Sequence, residues 1–310
     1  MLRQSDKPGF TEKGHMERVM KYDLKPLEEG DEEIIKSKVK EYDESVAPPE
    51  PGASEEEITL KITDGDGTVI AGCLVDIDRW KIASLDILWV DERYRRQGMA
   101  SALIREAERI FRERGFKLSV LGTFDFQARP LYEKHGYTLC GVIEDWPKGH
   151  CNYAMMKRLD RPSPDYASTK PQKEAAYEVK IGNEDDAEVI CDGLGAHNRA
   201  QIPHERDYEP LGGKITDETG KLIAAYTAGF DEWSESYFTV WVDEPYRGQG
   251  IGTYLLQEAE RELKEKGAYV ILIWLCDWEA AFFEKHGFTV CAVYEDCPEG
   301  HKFYEMKKLI

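Results

Sequence analysis

The sequence predicts an α/β protein in which one mixed sheet with flanking helices is written twice, and three observations carry that expectation. The phrase YRRQGMASALIREAE at residues 94–108 recurs as YRGQGIGTYLLQEAE at 246–260. In each half, short apolar runs bounded by turn residues alternate with apolar positions at helical spacing. A polar stretch bearing three prolines, DRPSPDYASTKPQKE at 160–174, separates the halves. A chain of 310 residues is long enough for two domains that each bury a core.

The elements of the first half follow in order. VMKYDL (19–24) reads as a strand, and 31–45 as a helix by composition and weak periodicity. EITLKIT and TVIAGCLVDID flank a DGDG turn and read as a hairpin. The turn lacks the further ligands of an EF-hand loop, so it does not imply calcium. Strand IASLDILWV (82–90) leads into the repeated phrase and then a helix. On that helix Leu103, Ile104, Ala107, Ile110 and Phe111 share one face, and Gly115 stands just past it, where a left-handed cap is expected. A strand at FKLSVLG, a short helix and two closing strands complete the half.

The second half repeats the series. YEVKI (177–181) is its first strand and 185–200 its first helix, and Leu255, Leu256, Ala259 and Leu263 line the later helix before Gly267. KITDGDGTVIAG (61–72) matches KITDETGKLIAA (214–225), ILWVDERYRRQG (87–98) matches TVWVDEPYRGQG (239–250), LYEKHGY (131–137) matches FFEKHGF (282–288), and EDWPKGH (144–150) matches EDCPEGH (295–301). Two long copies mean a duplicated domain, since a solenoid needs shorter repeats in greater number. The order is β-α-β-β-β-α-β-α-β-β in each copy. Domain one is expected at 17–159 and domain two at 175–310, with residues 1–16 a polar extension and Met16 near the domain start.

Composition narrows the function. Hydrophobic residues make up 41% and charged residues 33%, and the formal net charge is −19. That charge argues against nucleic acid, whose phosphates call for clustered Lys and Arg, and it suits a cationic partner or simple solubility. No apolar stretch approaches the ~18–20 residues of a membrane helix, and the N-terminus has no apolar signal region. Seven cysteines without CxxC spacing read as reduced thiols of a cytoplasmic protein.

The repeated phrase reads as an anion site. Arg95-x-x-Gly98-x-Ala100 and Arg247-x-x-Gly250-x-Gly252 each lie between a strand and a helix. Unpaired N–H groups and a positive dipole at a helix start stabilise phosphate oxygens, and Gly or Ala lets them approach the backbone. The chain has no G-K-[ST] of a P-loop and no G-x-G-x-x-G opening a βαβ unit.

On these residues the chain resembles the GNAT superfamily of acyl-CoA-dependent N-acetyltransferases, once per half. The resemblance rests on ILWV and TVWV, on YRRQGMA and YRGQGIG, and on FQARPLYEKHGY and WEAAFFEKHGF. It implies two tandem GNAT (acyl-CoA N-acyltransferase) domains with acetyl-CoA as co-substrate and no metal. The loops Arg95, Arg96, Gln97, Gly98, Met99, Ala100 and Arg247, Gly248, Gln249, Gly250, Ile251, Gly252 would then grip the pyrophosphate. The strands Leu88, Trp89, Val90 and Thr239, Val240, Trp241, Val242 would pair with the pantetheine arm, and one strand N–H would polarise the thioester carbonyl.

The resemblance also carries a general acid onto Tyr132, within Ala128-x-x-x-Tyr132-x-x-x-Gly136-Tyr137. The second copy has Phe283 there, preceded by Phe282, and a phenyl ring cannot donate a proton. The first copy is therefore expected to be catalytic, and the second to bind CoA with impaired chemistry. Asp125 and Asp277 stand near the position where the family usually has asparagine.

The general base is open between Asp86, whose counterpart is Phe238, and Glu144, which recurs as Glu295 beside Asp145 and Asp296. His150 and His301 are further contacts to weigh. Cys151 and Cys297 have no matching cysteine in the other copy, which argues against metal. Cys140 and Cys291 do correspond and are expected in the core.

The leading expectation is acetylation of a primary amine on a small cationic molecule, by a monomer with an internal pseudo-dimer or by a homodimer. Acetylation of a protein or peptide is the enzyme alternative, and a non-catalytic acyl-CoA-binding regulator the alternative from another class.

Overall fold

The computed structural model describes residues 22–160, 177–203, 208–230 and 235–310. The expected N-terminal extension, Met16 and all but the first residue of the stretch 160–174 lie outside the described residues. The first repeat runs β1 (Leu24–Pro26), α1 (Asp31–Val46), β2 (Glu56–Thr63), β3 (Val69–Ile77), β4 (Ile82–Val90), α2 (Met99–Glu113), β5 (Leu118–Phe124), α3 (Arg129–Lys134), β6 (Thr138–Glu144) and β7 (Cys151–Arg158). The second runs β8 (Lys180–Ile181), α4 (Glu184–Gln201), β9 (Glu209–Thr216), β10 (Leu222–Phe230), β11 (Glu235–Val242), α5 (Ile251–Lys266), β12 (Val270–Cys276), α6 (Asp277–Lys285), β13 (Thr289–Glu295) and β14 (Lys302–Leu309). The order of elements matches the sequence expectation, but the first strand is Leu24–Pro26 rather than 19–24, of which residues 19–21 lie outside the described residues.

Local chemistry explains the boundaries. The β2–β3 turn closes because the Asp64 carboxylate accepts the N–H groups of Asp66 and Thr68 at 3.0 and 2.9 Å, so its carboxylate serves the turn itself. α4 starts at a capping box in which Asn183 and Asp186 satisfy each other's backbone N–H. α5 ends at Gly267, whose φ of +93° only glycine adopts at little cost. Leu103, Ile104, Ala107 and Phe111 of α2 are fully buried, and Ile110 packs at the margin of the same core.

Packing divides the chain into two compact units that are not contiguous in sequence. Of the described residues, one holds 22–46, 208–230, 235–273 and 307–310, and the other holds 47–160, 177–203 and 274–306. In the first unit the strands run β1-β9-β10-β11-β12, and in the second β13-β6-β7-β5-β4-β3-β2-β8. The β4–β5 and β11–β12 pairs are parallel.

The opening strand and helix of each repeat are exchanged. β1 pairs with β9 of the second repeat, Leu24 opposite Ile215, and β8 pairs with β2 of the first, Ile181 opposite Leu60. α1 lays Ile35 on Ala225 and Trp241, while α4 lays Ile190 and Gly193 on Gly72 and Trp89. The fit is close: a Cβ on Gly193 would stand 2.3 Å from Trp89, and one on Gly72 2.2 Å from Ile190. The ranges 17–159 and 175–310 follow the repeat, whereas packing follows this exchange. No helix among the described residues is long and apolar enough to cross a membrane.

Candidate active site

The candidate site in the 47–205 unit begins where two strands stop pairing. β4 and β5 pair through Ile82, Ala83 and Ser84, and no further register is made beyond Ser84 opposite Val120. On its other side β4 pairs with β3, but the register slips, with Leu74 opposite Ile87 and Val75 opposite Leu85. Asp86 is therefore the extra residue of a β-bulge, set at the point where β4 leaves β5. Bulges re-aim a side chain and bend the strand, and they are frequent beside active sites. Past the bulge, Leu88, Trp89 and Val90 have an edge toward β5 that no strand among the described residues covers, so their backbone groups are available to a ligand.

β4 runs directly into the anion loop. The Asp91 carboxylate caps a short 3-10 turn, Glu92–Tyr94, by accepting the Arg93 N–H. Arg95 then turns back, its Nε donating to the Val90 carbonyl at 3.1 Å, which fixes the loop to the strand end. Arg96 has φ +61° and Gly98 φ +95°, so Gln97 is held between two left-handed residues. No side chain caps α2 at Gly98, and the N–H groups of Met99 and Ala100 open its first turn. The Tyr177 hydroxyl, from the second repeat, donates to the Gln97 carbonyl at 2.8 Å. Burial and the Arg95 guanidinium hold the His197 imidazole of α4 below its ordinary pKa.

Tyr132 and Asp86 differ in surroundings. Tyr132 on α3 is buried in the core beneath the sheet, edge-on to Tyr137 at 6.0 Å. Burial, with the Cys73 thiol adding to it, pushes its phenol well above the ordinary value, so Oη stays protonated. The Asp86 carboxyl is pushed up to about 6, by desolvation first and by the Asp76 and Glu57 carboxylates, against the hydrogen bond donated by the Ser84 hydroxyl. The three acids sit on adjacent strands: Asp76 lies opposite both Glu57 and Ser84 in the sheet register. In the second repeat their positions hold Pro210, Gly229 and Phe238.

Glu144 stands exposed at the end of β6, opposite Cys151 and away from the bulge. Next to it, His150 and Asp125 join at 2.9 Å, and His301 and Asp277 do so at 3.1 Å. Each pair ties the closing hairpin to the strand end, which accounts for aspartate at both positions. Sequence reasoning did not foresee Gln127: its Oε1 accepts the Phe124 N–H at 2.9 Å, and its Nε2 donates to Asn198 of α4 at 3.0 Å. Cys140 and Cys291 are half-buried, a correction to the expected core placement, because the β6 and β13 strands that carry them keep one face partly open.

The second loop, in the other unit, keeps the same backbone. Arg247 Nε donates to the Val242 carbonyl at 2.8 Å, Gly248 has φ +73°, and Gly250 at φ +88° opens α5 at Ile251 and Gly252. The Arg247 guanidinium lies 4.5 Å over the Tyr42 ring of α1, and a cavity of about 540 Å³ beside it is lined by Lys38, Lys221 and Trp241. β11 parts from β12 after Tyr237, yet its pairing with β10 through Val240 and Thr239 has no slip, and Phe238 is buried where Asp86 has its counterpart. A cavity of about 810 Å³ at Tyr237–Thr239 is lined by carboxylates of α1 and α5, including Glu32, Glu33, Glu262 and Glu265.

These residues fit a CoA thioester. A glycine in the left-handed region at an uncapped helix start admits phosphate oxygens, and the uncovered strand edge matches an extended amide-bearing arm. No group of His, Cys, Asp and Glu suited to a metal occurs among the described residues.

Known proteins resemble parts of the chain. The model of the Acetyltransferase (GNAT) family matches residues 27–137, and an Acetyltransferase (GNAT) domain model matches 215–290. Blasticidin-S acetyltransferase of Streptomyces morookaense is 38% identical over 96 residues, 31% of this chain and 71% of that protein. An acetyltransferase from Bacillus cereus is 38% identical, covering 43% of this chain and 97% of its own with a TM-score of 0.40. The ribosomal-protein-S18-alanine N-acetyltransferase of Escherichia coli is 22% identical over 37% of this chain and 76% of its own, with a TM-score of 0.29.

Proposed function

Because the chain belongs to the GNAT acetyltransferase family and is an acetyl-CoA-dependent N-acetyltransferase, we propose that its first repeat acetylates the primary amine of a small cationic acceptor. The observation that carries this reading is Asp86, placed in the β4 bulge at the strand parting and flanked by Asp76 and Glu57. A carboxyl with a pKa of about 6 is ionised at neutral pH and basic enough to take a proton from an ammonium group. The neighbouring carboxylates draw a cation to the same spot. Acetyl-CoA supplies the acetyl group and leaves as a free thiol.

The chain's own groups divide the remaining work. Arg95 and the α2 N–H groups hold phosphate, and the N–H groups of Leu88 to Val90 stabilise developing negative charge on a carbonyl oxygen. Tyr132 retains its Oη proton at neutral pH, which is the state a general acid needs. The second repeat binds CoA through Arg247 to Gly252 and lacks both Asp86 and Tyr132, with Phe238 and Phe283 in their places. The relative named for acetylating blasticidin-S supports a small-molecule acceptor over a protein.

The test is turnover of a panel of amines with acetyl-CoA, read as free thiol released. The acceptor KM should rise with salt, since screening acts over a Debye length of ~8–10 Å. A KM indifferent to salt, or a preference for anionic amines, contradicts the cationic acceptor.

A further inference from the structure

Beside the C-terminal end of β5, in the same unit as Asp86 and Tyr132, lies an aromatic cluster that the reaction described above does not use. Phe124, the last residue of β5, meets Trp146 edge-on at 5.4 Å, and Trp146 meets Trp274 at 6.0 Å. Trp146 is buried, and its indole N–H has no hydrogen-bond partner among the described residues. Glu305 is 7% exposed: its Oε1 accepts the Tyr294 hydroxyl at 2.7 Å, the Trp274 indole also hydrogen-bonds the carboxyl, and its Oε2 has no partner. Trp274 itself keeps 36% of its surface open.

A donor and an acceptor left unpaired in a buried setting are each destabilising, so such groups call for an explanation. The fold does not demand them. The positions of Trp274, Tyr294 and Glu305 are Gly122, Ile143 and Ala154 in the first repeat, which builds the same strands with no polar group there.

We propose that Trp146, Trp274 and Glu305 form a hydroxyl-reading subsite for the acceptor, so that the second repeat sets the specificity of the first. The chemistry defines the ligand class. Trp146 Nε1 calls for an acceptor atom, Glu305 Oε2 for a donor, and the open face of Trp274 for an apolar ring surface. A polyhydroxylated ring amine, an amino sugar, supplies all three, whereas an alkyl amine supplies none of the polar contacts. This inference rests on the amine-acetylating reading of the same site.

The test uses the full chain with D-glucosamine and cyclohexylamine, two primary amines on saturated rings that differ in their hydroxyls. A site built to hydrogen-bond hydroxyls rejects an analogue without them strongly, so kcat/KM for D-glucosamine should exceed that for cyclohexylamine by at least ~100-fold. Trp146→Phe removes the indole donor, and Glu305→Gln puts an N–H donor where the acceptor oxygen stood. Each should cut that preference at least ~10-fold through the KM for D-glucosamine, with cyclohexylamine turnover and CoA affinity unchanged. Trp274→Ala, at a partly open position where folding is least at risk, removes the ring surface that both amines use and should raise both KM values.

Equal turnover of the two amines by the parent, or Trp146→Phe and Glu305→Gln variants that move both amines together, overturns the subsite and leaves the unpaired atoms to ordered water. Calorimetric titration of D-glucosamine into CoA-saturated protein separates the two readings. Binding that Glu305→Gln abolishes, in a parent that acetylates neither amine, upholds the subsite and sinks the acetylation. No binding of D-glucosamine, in a parent that acetylates other amines, sinks the subsite alone.

Discussion

Replacing Asp86 with asparagine removes the proposed base while leaving the β4 bulge, which is a backbone feature, in place. The expected effect has a size and a pH dependence. Loss of a general base lowers kcat/KM by about 10²–10⁴-fold where the base is fully ionised. The Asp86 carboxyl has a pKa of about 6, above the ordinary carboxylate value because of desolvation and the Asp76 and Glu57 charges. A raised pKa means activity falls as pH drops through about 6, not through about 4. From about pH 8 to about pH 5 the ionised fraction drops from nearly all to roughly a tenth, so the advantage of the parent over Asp86→Asn shrinks about tenfold.

The assay is kcat/KM for parent and variant across that range, plotted as their ratio, in which the acceptor's own titration cancels. Asp76→Asn, which removes a like charge, should move the inflection to lower pH. A ratio that stays flat with pH, or an Asp86→Asn enzyme with parental kcat/KM, refutes the assignment and passes the role to Glu144.

Three further outcomes are expected. Tyr132→Phe should leave CoA affinity almost unchanged and lower kcat by about 10²–10⁴-fold, and full kcat in that variant would remove the phenol from the mechanism. Gly98→Glu should abolish turnover and CoA binding at the first loop, whereas Gly250→Glu should remove only a second calorimetric site. If a folded Gly250→Glu protein is inactive, the second repeat is the seat of the reaction. Gly193→Ala would set a Cβ 2.3 Å from Trp89, and overpacking of this kind costs about 1–3 kcal/mol. Its melting temperature should fall and its CoA affinity at the first loop weaken; an unaltered melt would show that α4 does not press on β4.

Much of this was legible in the residues alone. Turn chemistry at Asp64 and Gly67, helical spacing from Leu103 to Phe111 and the recurrence of YRxQG fix elements by local rules, and local rules are what a sequence displays. The exchange was not legible, because it lies in pairings distant in sequence, β1 with β9 and β8 with β2, and in the packing of Ile35 and Ile190 on the other repeat's strands. The bulge at Asp86 is a one-residue slip against β3 and leaves no compositional trace. The acids Glu57 and Asp76 did leave one: laid against the second repeat, they face Pro210 and Gly229, just as Asp86 faces Phe238. Asp125, near the position where the family usually has asparagine, has its partner in His150 at 2.9 Å, a contact that only the fold brings together.

The exchanged opening segments bear on what holds two copies of one domain in a single chain. Phe283 and Phe238 stand where the first repeat has Tyr132 and Asp86, and both are buried, so packing is satisfied there without a tyrosine or a carboxylate. Deleting the second repeat is another matter, because residues 177–201 cover β2, β3 and β4 and brace Gln97 and Gln127. The repeats are thereby bound to a common fate. Catalysis in one can lapse over generations, but neither gene half can be shed without baring the other's sheet.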